Sequence, residues 1–299
     1  MTPPPSGPYD PTGPSGPWSD LERPPLNAAA LRRALVTEDG LWTRLEVAGI
    51  TGSTNADLRE RAREGHAAAG SVLIAEEQTQ GRGRLGRTWS APARSGLFCS
   101  VLLTPGPAVP GTRWGWLPLL AGVAVADGVA RVAGVRPALK WPNDLLVTVD
   151  GAERKLGGIL AERTALADGT AAVVLGMGIN VSLRAAELPV PEAGSLLLAG
   201  APVTDRDPLL RAVLRSLADW YGRWRTEAGD PAASGLLEAY TAGCATLGRR
   251  VRALLPGGEE LRGEAVALDG DGRLVIAAAG GGRQPVAAAD IVHLRPDGG

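Results

Sequence analysis

The apolar positions of this chain change period several times, and each change marks an element. Leu45 and Val47 flank Glu46 between Trp42 and Ala48, which reads as a strand. From Ser53 the spacing turns helical, with Leu58 and Ala62 on one face and Ser53 or Thr54 able to cap a helix that runs to Glu64. Ser71 to Glu76 and Leu97 to Leu103 are continuous apolar runs of strand length. Trp116 to Val132 is apolar on nearly every side, so it predicts a buried helix. Leu139 to Trp141 ends a strand at the Pro142 turn. Leu145 to Val149, Lys155 to Glu162 and Ala171 to Gly176 then read as three antiparallel strands. Asp150-Gly151 and Asp168-Gly169 supply their hairpins. Pro208 to Trp224 is an amphipathic helix, and Gly235 to Ala242 a shorter one.

The two ends differ from this middle. Residues 1–25 hold nine prolines, which predicts a disordered or polyproline tail that catalysis does not need. Leu26 to Val36 has one short helical pattern, too little for a helix-turn-helix. From about Ala245, five β-prone runs (Arg250 to Leu254, Glu260 to Ala267, Leu274 to Ala278, Gln284 to Ala287, Ile291 to Leu294) alternate with glycine-rich turns. That texture predicts a small β-barrel. The expected divisions are a tail over 1–25, a main domain over 26–244 and a C-terminal domain over 245–299. No internal repeat is present.

Composition narrows the classes. The net charge is −1, so no global field draws the chain to nucleic acid or an anionic membrane. No apolar run is expected to reach the roughly 20 residues of a membrane span, and the start lacks a signal-peptide pattern. Two cysteines, Cys99 and Cys244, suit a reducing cytoplasm and make neither a disulfide framework nor a metal cluster. Of 31 basic residues only Lys140 and Lys155 are lysine, so this arginine-rich chain keeps a compact ammonium at two nearby places.

The candidate chemistry sits in two stretches. Gly81-Arg82-Gly83-Arg84-Leu85-Gly86-Arg87-Thr88-Trp89 interleaves backbone that can approach an anion with guanidinium groups that fork onto one. Lys140-Trp141-Pro142-Asn143-Asp144 sets a cation, an amide and a carboxylate around a turn. Only two histidines occur, His66 and His293, neither in a catalytic setting.

Those stretches, the Lys155-to-Glu162 run, Gly176-Met177-Gly178-Ile179-Asn180-Val181 and Ser53-Thr54-Asn55 resemble biotin–protein ligases, in that family's order. The likeness spans roughly residues 40 to 299. It implies an α+β fold: a mixed, mostly antiparallel sheet with helices, of the class II synthetase-like kind, followed by an SH3-like barrel. It also implies ATP-dependent transfer of biotin to a lysine of a carboxylase carrier domain, through biotinyl-5′-AMP. ATP with Mg²⁺ and biotin would be substrates, with no metal held by the protein itself.

By the same resemblance Ser53, Thr54, Asn55, Gln78, Arg82, Gly83, Arg84 and Lys155 hold biotin. Arg87, Trp89, Asn143 and Asn180 hold ATP. Lys155, Arg84 and Asp144 act in catalysis, and Gly176 and Gly178 leave bare backbone for a ligand. Plainer readings stand beside these. The Ser53 triplet also serves as a helix cap, Gln78 as a solvated strand end and Trp89 as a core anchor. Asp144 also suits a turn cap, Lys155 a surface cation, and Gly176 and Gly178 a tight bend. The segment from Ser182 to Leu198 has no aromatic residue, so Leu188, Val190 or Leu196 are the expected contacts for adenine. A lipoate–protein ligase and a DNA-binding repressor are the rival readings. A monomer or weak homodimer, no specific DNA and no membrane are expected.

Overall fold

The computed structural model describes residues 22–255, 258–278, 280–287 and 290–293. The chain opens with α1 (Ala28–Leu35), capped by the Asn27 side chain, which accepts from the Ala30 amide. Then come β1 (Arg44–Ala48), α2 (Thr54–Arg63), β2 (Ser71–Ala75), and the two-residue strands β3 (Gly81–Arg82) and β4 (Thr88–Trp89). They are followed by β5 (Gly96–Leu103), α3 (Leu117–Ala133), β6 (Ala138–Lys140), β7 (Asp144–Val149), β8 (Ala152–Ala165) and β9 (Ala171–Asn180). Two helices, α4 (Arg206–Thr226) and α5 (Leu236–Gly243), close this part. The last five strands are β10 (Arg250–Leu254), β11 (Glu260–Leu268), β12 (Leu274–Ala278), β13 (Arg283–Val286) and β14 (Asp290–His293).

Seven strands form one sheet in the order β1-β2-β5-β9-β8-β7-β6. Only the β1–β2 pair is parallel, so the sheet is mixed and mostly antiparallel. β10 to β14 form a second sheet in the order β13-β12-β11-β10-β14, the size of an SH3-like domain. Leu294, the end of the last predicted run, lies outside the described residues.

The period of two along each central strand sorts the two faces of the large sheet. Val72, Ile74, Leu97, Cys99, Val101, Val173, Leu175, Met177 and Ile179 point into the main core with α3 and α4. Leu73, Leu102, Ala172 and Val174 pack beneath α2 on the other face, with Leu58 and Ala62. Further along that second face the strands carry Ser100, Gly176, Gly178 and Asn180, with Phe98 as a large apolar group among them. The core is thus one-sided at this end, and the opposite side becomes a floor.

The residues Gly111–Ala133, a 3₁₀ turn running into α3, are long and apolar enough to cross a membrane by length and composition. This corrects the expectation that no such run exists. Most of that segment is buried inside the fold, where it packs on the sheet and α4.

Residues 22–25 are also unlike a tail. Arg23 is buried, and Pro24 accepts a hydrogen bond from Arg206 (2.7 Å). The Leu26 amide donates to Glu76 (2.6 Å), which also pairs with Arg206 (2.6 Å). Composition misled at this boundary, because a buried ion pair needs one arginine, not an apolar run. Residues 1–21 lie outside the described set.

The second sheet is fastened to the first by tryptophans. Trp141 is buried, and its Nε1 donates to the Gly272 carbonyl (3.0 Å) while its amide donates to Thr246 Oγ1 (3.1 Å). Trp116 Nε1 donates to the Gly270 carbonyl (2.9 Å). A buried tryptophan removes about 150–250 Å² from water, about 4–6 kcal/mol as an upper bound at ~25 cal/mol/Å².

Candidate active site

The floor of the site is set by a β-bulge. β7 pairs with β8 so that Leu145 faces Gly157 and Leu146 faces Lys155, leaving Leu156 as the extra residue. Residues three apart in an unbroken strand face opposite sides. The bulge lets Lys155 and Gly158 share one face, and a Cβ at Gly158 would sit 3.6 Å from Lys155 Nζ. Beyond it Leu160 and Glu162 continue that face.

On one part of this floor lies a closed polar cluster under the start of α2. Ser53 caps the helix by accepting from the Ala56 amide (3.5 Å). Gln78 Oε1 accepts from the Thr54 amide (2.8 Å) and hydroxyl (3.0 Å). Ser100 Oγ lies 2.7 Å from Thr54 Oγ1 and 2.6 Å from Asn55 Oδ1. Asn55 Nδ2 donates to the Leu160 carbonyl (3.2 Å) and to Glu162 (2.9 Å), and Arg59 donates to the other Glu162 oxygen (2.5 Å). Ser53, Thr54, Asn55 and Ser100 are all buried.

Here two expectations are corrected. Asn55 is occupied on both its amide atoms by the protein, so its direct contacts are with Ser100, Leu160 and Glu162 and not with the cavity. Gly176 does not leave bare backbone for a ligand: a Cβ there would lie 2.2 Å from Asn55 Oδ1. Gly178 is likewise covered by the Trp89 ring, with Cε2 2.9 Å from such a Cβ. These glycines make room for side chains of the same chain.

The second part of the floor is open. A cavity of about 750 Å³ is lined by Gly83, Arg84, Arg87, Trp89, Asn143, Asp144, Lys155 and Asn180, among others. Lys155 Nζ lies 2.6 Å from Asp144 Oδ1 and 5.9 Å from the centre of the Trp89 ring. Asn143 Oδ1 accepts from Arg84 (3.2 Å), and its Nδ2 donates to the Ile159 carbonyl (2.9 Å), which ties the arginine loop to β8. That loop arches between β3 and β4 through a left-handed pair, Leu85 (φ 55°) and Gly86 (φ 74°). Lys140 also lines the cavity, as does the edge of the buried Trp141, whereas Leu139 is buried in the core.

A third wall is the segment after β9. The Lys155 amide donates to the Glu192 carbonyl (2.7 Å) and its carbonyl accepts from the Gly194 amide (2.9 Å). Asn180 Nδ2 donates to the Gly194 carbonyl (2.9 Å). Pro189, Val190, Glu192 and Ala193 therefore face the cavity. Of the three aliphatic residues expected at adenine, Val190 lines the cavity. Leu196 is fully buried in the core instead, and Leu188 is half-buried beside the wall without lining it. Leu254, Ile291 and Val292 of the second sheet complete the lining.

Of the residues singled out in sequence, Gly83, Arg84, Arg87, Trp89, Asn143, Asp144, Lys155 and Asn180 meet at one cavity. Ser53, Thr54, Asn55 and Gln78 are gathered in the neighbouring cluster. Arg82 is exposed and lines an adjoining hollow with Leu160 and Glu162, across the arginine loop from the cavity. Sequence reading missed Ser100 and Glu162. Ser100 had a signal, a polar residue inside the apolar run from Leu97 to Leu103.

The electrostatics exclude a thiol nucleophile at Cys99, whose pKa burial pushes up to about 12. At the seam between the sheets, His293 is pushed down to about 4 by burial first, then by the nearby Lys140 and Arg249 charges. It is held neutral: Arg249 lies 3.1 Å from Nδ1, and Nε2 lies 3.1 Å from Thr246 Oγ1. Among the described residues no group of three His, Cys, Asp or Glu could hold a metal ion. The arrangement offers cations and amides for anionic oxygens, with the Asp144 carboxylate beside them and Glu192 on the facing wall.

Residues 47–180 match the biotin/lipoate A/B protein ligase family, and residues 246–294 match the biotin protein ligase C-terminal domain. The chain is 44% identical over 279 residues to a biotin–[acetyl-CoA-carboxylase] ligase of Mycobacterium tuberculosis, covering 92% of this chain and 98% of that one. It is 31% identical to the bifunctional ligase/repressor BirA of Bacillus subtilis, over 84% of this chain and 74% of that one. A solved biotin protein ligase from Aquifex aeolicus, in complex with biotin and ATP, superposes with a TM-score of 0.67 at 25% identity. It covers 85% of this chain and all of that one.

Proposed function

The chain belongs to the biotin/lipoate A/B protein ligase family, as a biotin–protein ligase, and on that premise we propose how its residues join biotin to a carrier lysine. The reaction has two steps. A biotin carboxylate oxygen attacks the α-phosphorus of ATP, a P–O bond forms and pyrophosphate leaves. The carrier amine then attacks the acyl carbon of biotinyl-5′-AMP, the amide forms and AMP leaves with the bond's electrons. The acceptor is a carrier domain of an acyl-CoA carboxylase, as the name of the Mycobacterium relative suggests. Magnesium enters with ATP as the substrate complex, held chiefly by phosphate oxygens.

One observation carries the assignment of roles: Lys155, Asp144, Arg84 and Asn143 surround one cavity beside the Trp89 ring. Lys155 and Arg84 neutralise the carboxylate and α-phosphate as they approach, which is electrostatic preorganisation. Asp144, paired with Lys155 before substrate arrives, is freed when Lys155 turns to the phosphate. It then orients the incoming amine and accepts its proton. Arg87 takes the outer phosphates, Asn143 positions Arg84, and Asn180 holds the third wall in place. Thr54 and Gln78 suit the polar ureido ring, and Ser53 and Asn55 fix the helix start that presents them.

The match of the C-terminal region to biotin protein ligases favours biotin over lipoate. We expect a cytoplasmic monomer or weak homodimer without specific DNA binding. The test is mass spectrometry of a carboxylase carrier domain incubated with the chain, ATP, Mg²⁺ and either acid. A mass gain of one biotin, and none with lipoate, is expected. No gain while a known ligase succeeds would reject the reading.

A further inference from the structure

The third wall of the cavity is held from the far side by the chain's own beginning. Arg23 is only 6% exposed. Its guanidinium forks onto both oxygens of Glu187 (3.0 and 2.5 Å). The same group donates to the Ser182 hydroxyl (3.1 Å) and carbonyl (2.7 Å). Ser182 and Glu187 bracket the exit from β9, and Pro189, Val190, Glu192 and Ala193 follow directly and face the cavity. Glu187 Oε2 also accepts from the Arg184 amide (2.9 Å), closing a short turn at Ala185–Glu187. The Arg23 hydrogen bonds hold the Glu187 carboxyl below its usual range, so it stays charged near neutrality.

The segment carrying Arg23 is itself fixed. The Pro24 carbonyl accepts from Arg206, and the Leu26 amide donates to Glu76, whose carboxylate pairs with Arg206 in the core. Arg206 also donates to the Gly96 carbonyl at the start of β5 (3.3 Å). The link therefore runs from the sheet, through residues 23–26, to the middle of a wall that has no strand of its own. A bidentate arginine–carboxylate pair sets direction as well as distance.

We propose that Arg23 is a positioning residue for the nucleotide wall, and that it governs how firmly ATP and the acyl-adenylate are held. This rests on the cavity being the nucleotide site. Arg23 does not line the cavity, so its effect passes through Ser182 and Glu187 to Val190. The Thr54–Gln78 cluster is bonded independently of this wall, so a loosened wall should weaken the nucleotide and spare biotin.

The experiment compares full-length chain with Arg23→Ala, Arg23→Lys, Glu187→Ala and the Arg23→Ala/Glu187→Ala double variant. Adenylate formation gives KM for ATP and for biotin separately, and filtration gives the release rate of biotinyl-5′-AMP. Arg23→Ala is expected to raise KM for ATP about tenfold and release about tenfold, with KM for biotin changed less than about twofold. Arg23→Lys should recover part of both effects. The double variant should be no worse than Arg23→Ala, as one shared interaction requires. Equal rises in both KM values, or a lower melting temperature with neither changed, would overturn the proposal. If Arg23→Ala does not fold, Glu187→Ala carries the same readout. Should the parent form no adenylate, the functional reading fails. Calorimetry with a non-hydrolysable ATP analogue then decides the Arg23 proposal alone, equal affinity in parent and Arg23→Ala refuting it.

Discussion

Two polar regions share one sheet face and are built in opposite ways. The cluster of Thr54, Gln78, Ser100, Asn55 and Glu162 is sunk beneath α2, and its amide and carboxylate groups are bonded to one another. The cavity of Arg84, Asn143, Asp144 and Lys155 leaves Lys155 35% exposed, next to a carboxylate it must release for chemistry. A buried network that is satisfied specifies a shape, whereas half-open charges are available to a ligand. Substitution of Asn55, Ser100 or Glu162, which bond one another, should therefore cost stability first, and substitution in the second region should cost rate.

The sharpest break of that contrast uses two glycines on one strand. Gly176→Ala puts a methyl 2.2 Å from Asn55 Oδ1, which Ser100, Leu160 and Glu162 hold in place. We expect a loss of about 3 kcal/mol, the upper end for overpacking, read by denaturant unfolding. Gly178→Ala meets the Trp89 ring on the cavity side, and it should slow the reaction more than it destabilises. Equal stability losses in both would erase the distinction.

The next effect concerns the seam beside the cavity. His293 sits at about 4 in the fold against an ordinary 6.5. A lowered histidine value means the unfolded chain binds the extra proton. The contribution is therefore complete above pH 6.5 and is lost as pH falls towards 4. Between pH 7 and 5 the loss is about 2 kcal/mol. His293→Gln should flatten stability against pH in that window, and an unchanged slope would show that other groups set it.

Smaller still in free energy, but confined to rate, is Lys155. Its Nζ lies 2.6 Å from Asp144 and faces the Trp89 ring. A planar guanidinium is wider and its charge more spread. Lys155→Arg and Lys155→Gln are each expected to slow adenylate formation at least about tenfold, about 1.4 kcal/mol. Transfer from preformed biotinyl-5′-AMP should suffer less. Adenylation by Lys155→Arg at the parental rate would make Lys155 a surface cation. The smallest effect is expected from removing the first 21 residues alone. Removing residues 1–21 should leave kcat/KM within about twofold, while removing 1–25 should behave like Arg23→Ala.

Much of this was legible in sequence because it is local. The apolar run from Ala171 to Gly176 announced β9, though the strand continues to Asn180. The arginine–glycine loop and the Lys140-to-Asp144 turn supplied six of the eight singled-out residues that meet at the cavity. What escaped depends on partners far along the chain. Nothing near Asn55 announces that Glu162 will satisfy it, or that Gly176 exists to admit it. The bulge at Leu156 leaves no mark in the hydrophobic pattern, because Leu156 and Ile159 are both apolar and both buried. Arg23 was hidden by the prolines around it.

The seam of tryptophans also bears on the order in which the protein is made. A chain leaves the ribosome from its N-terminus, and domains tend to fold as they emerge. Trp141 begins the turn that carries Asn143 and Asp144, yet its two acceptors are Thr246 and Gly272, more than a hundred positions later. Until those residues have been synthesised, that turn lacks the anchors that set its direction. The reacting groups are therefore present in the nascent chain well before they are aimed, and the enzyme matures only as its last sheet docks.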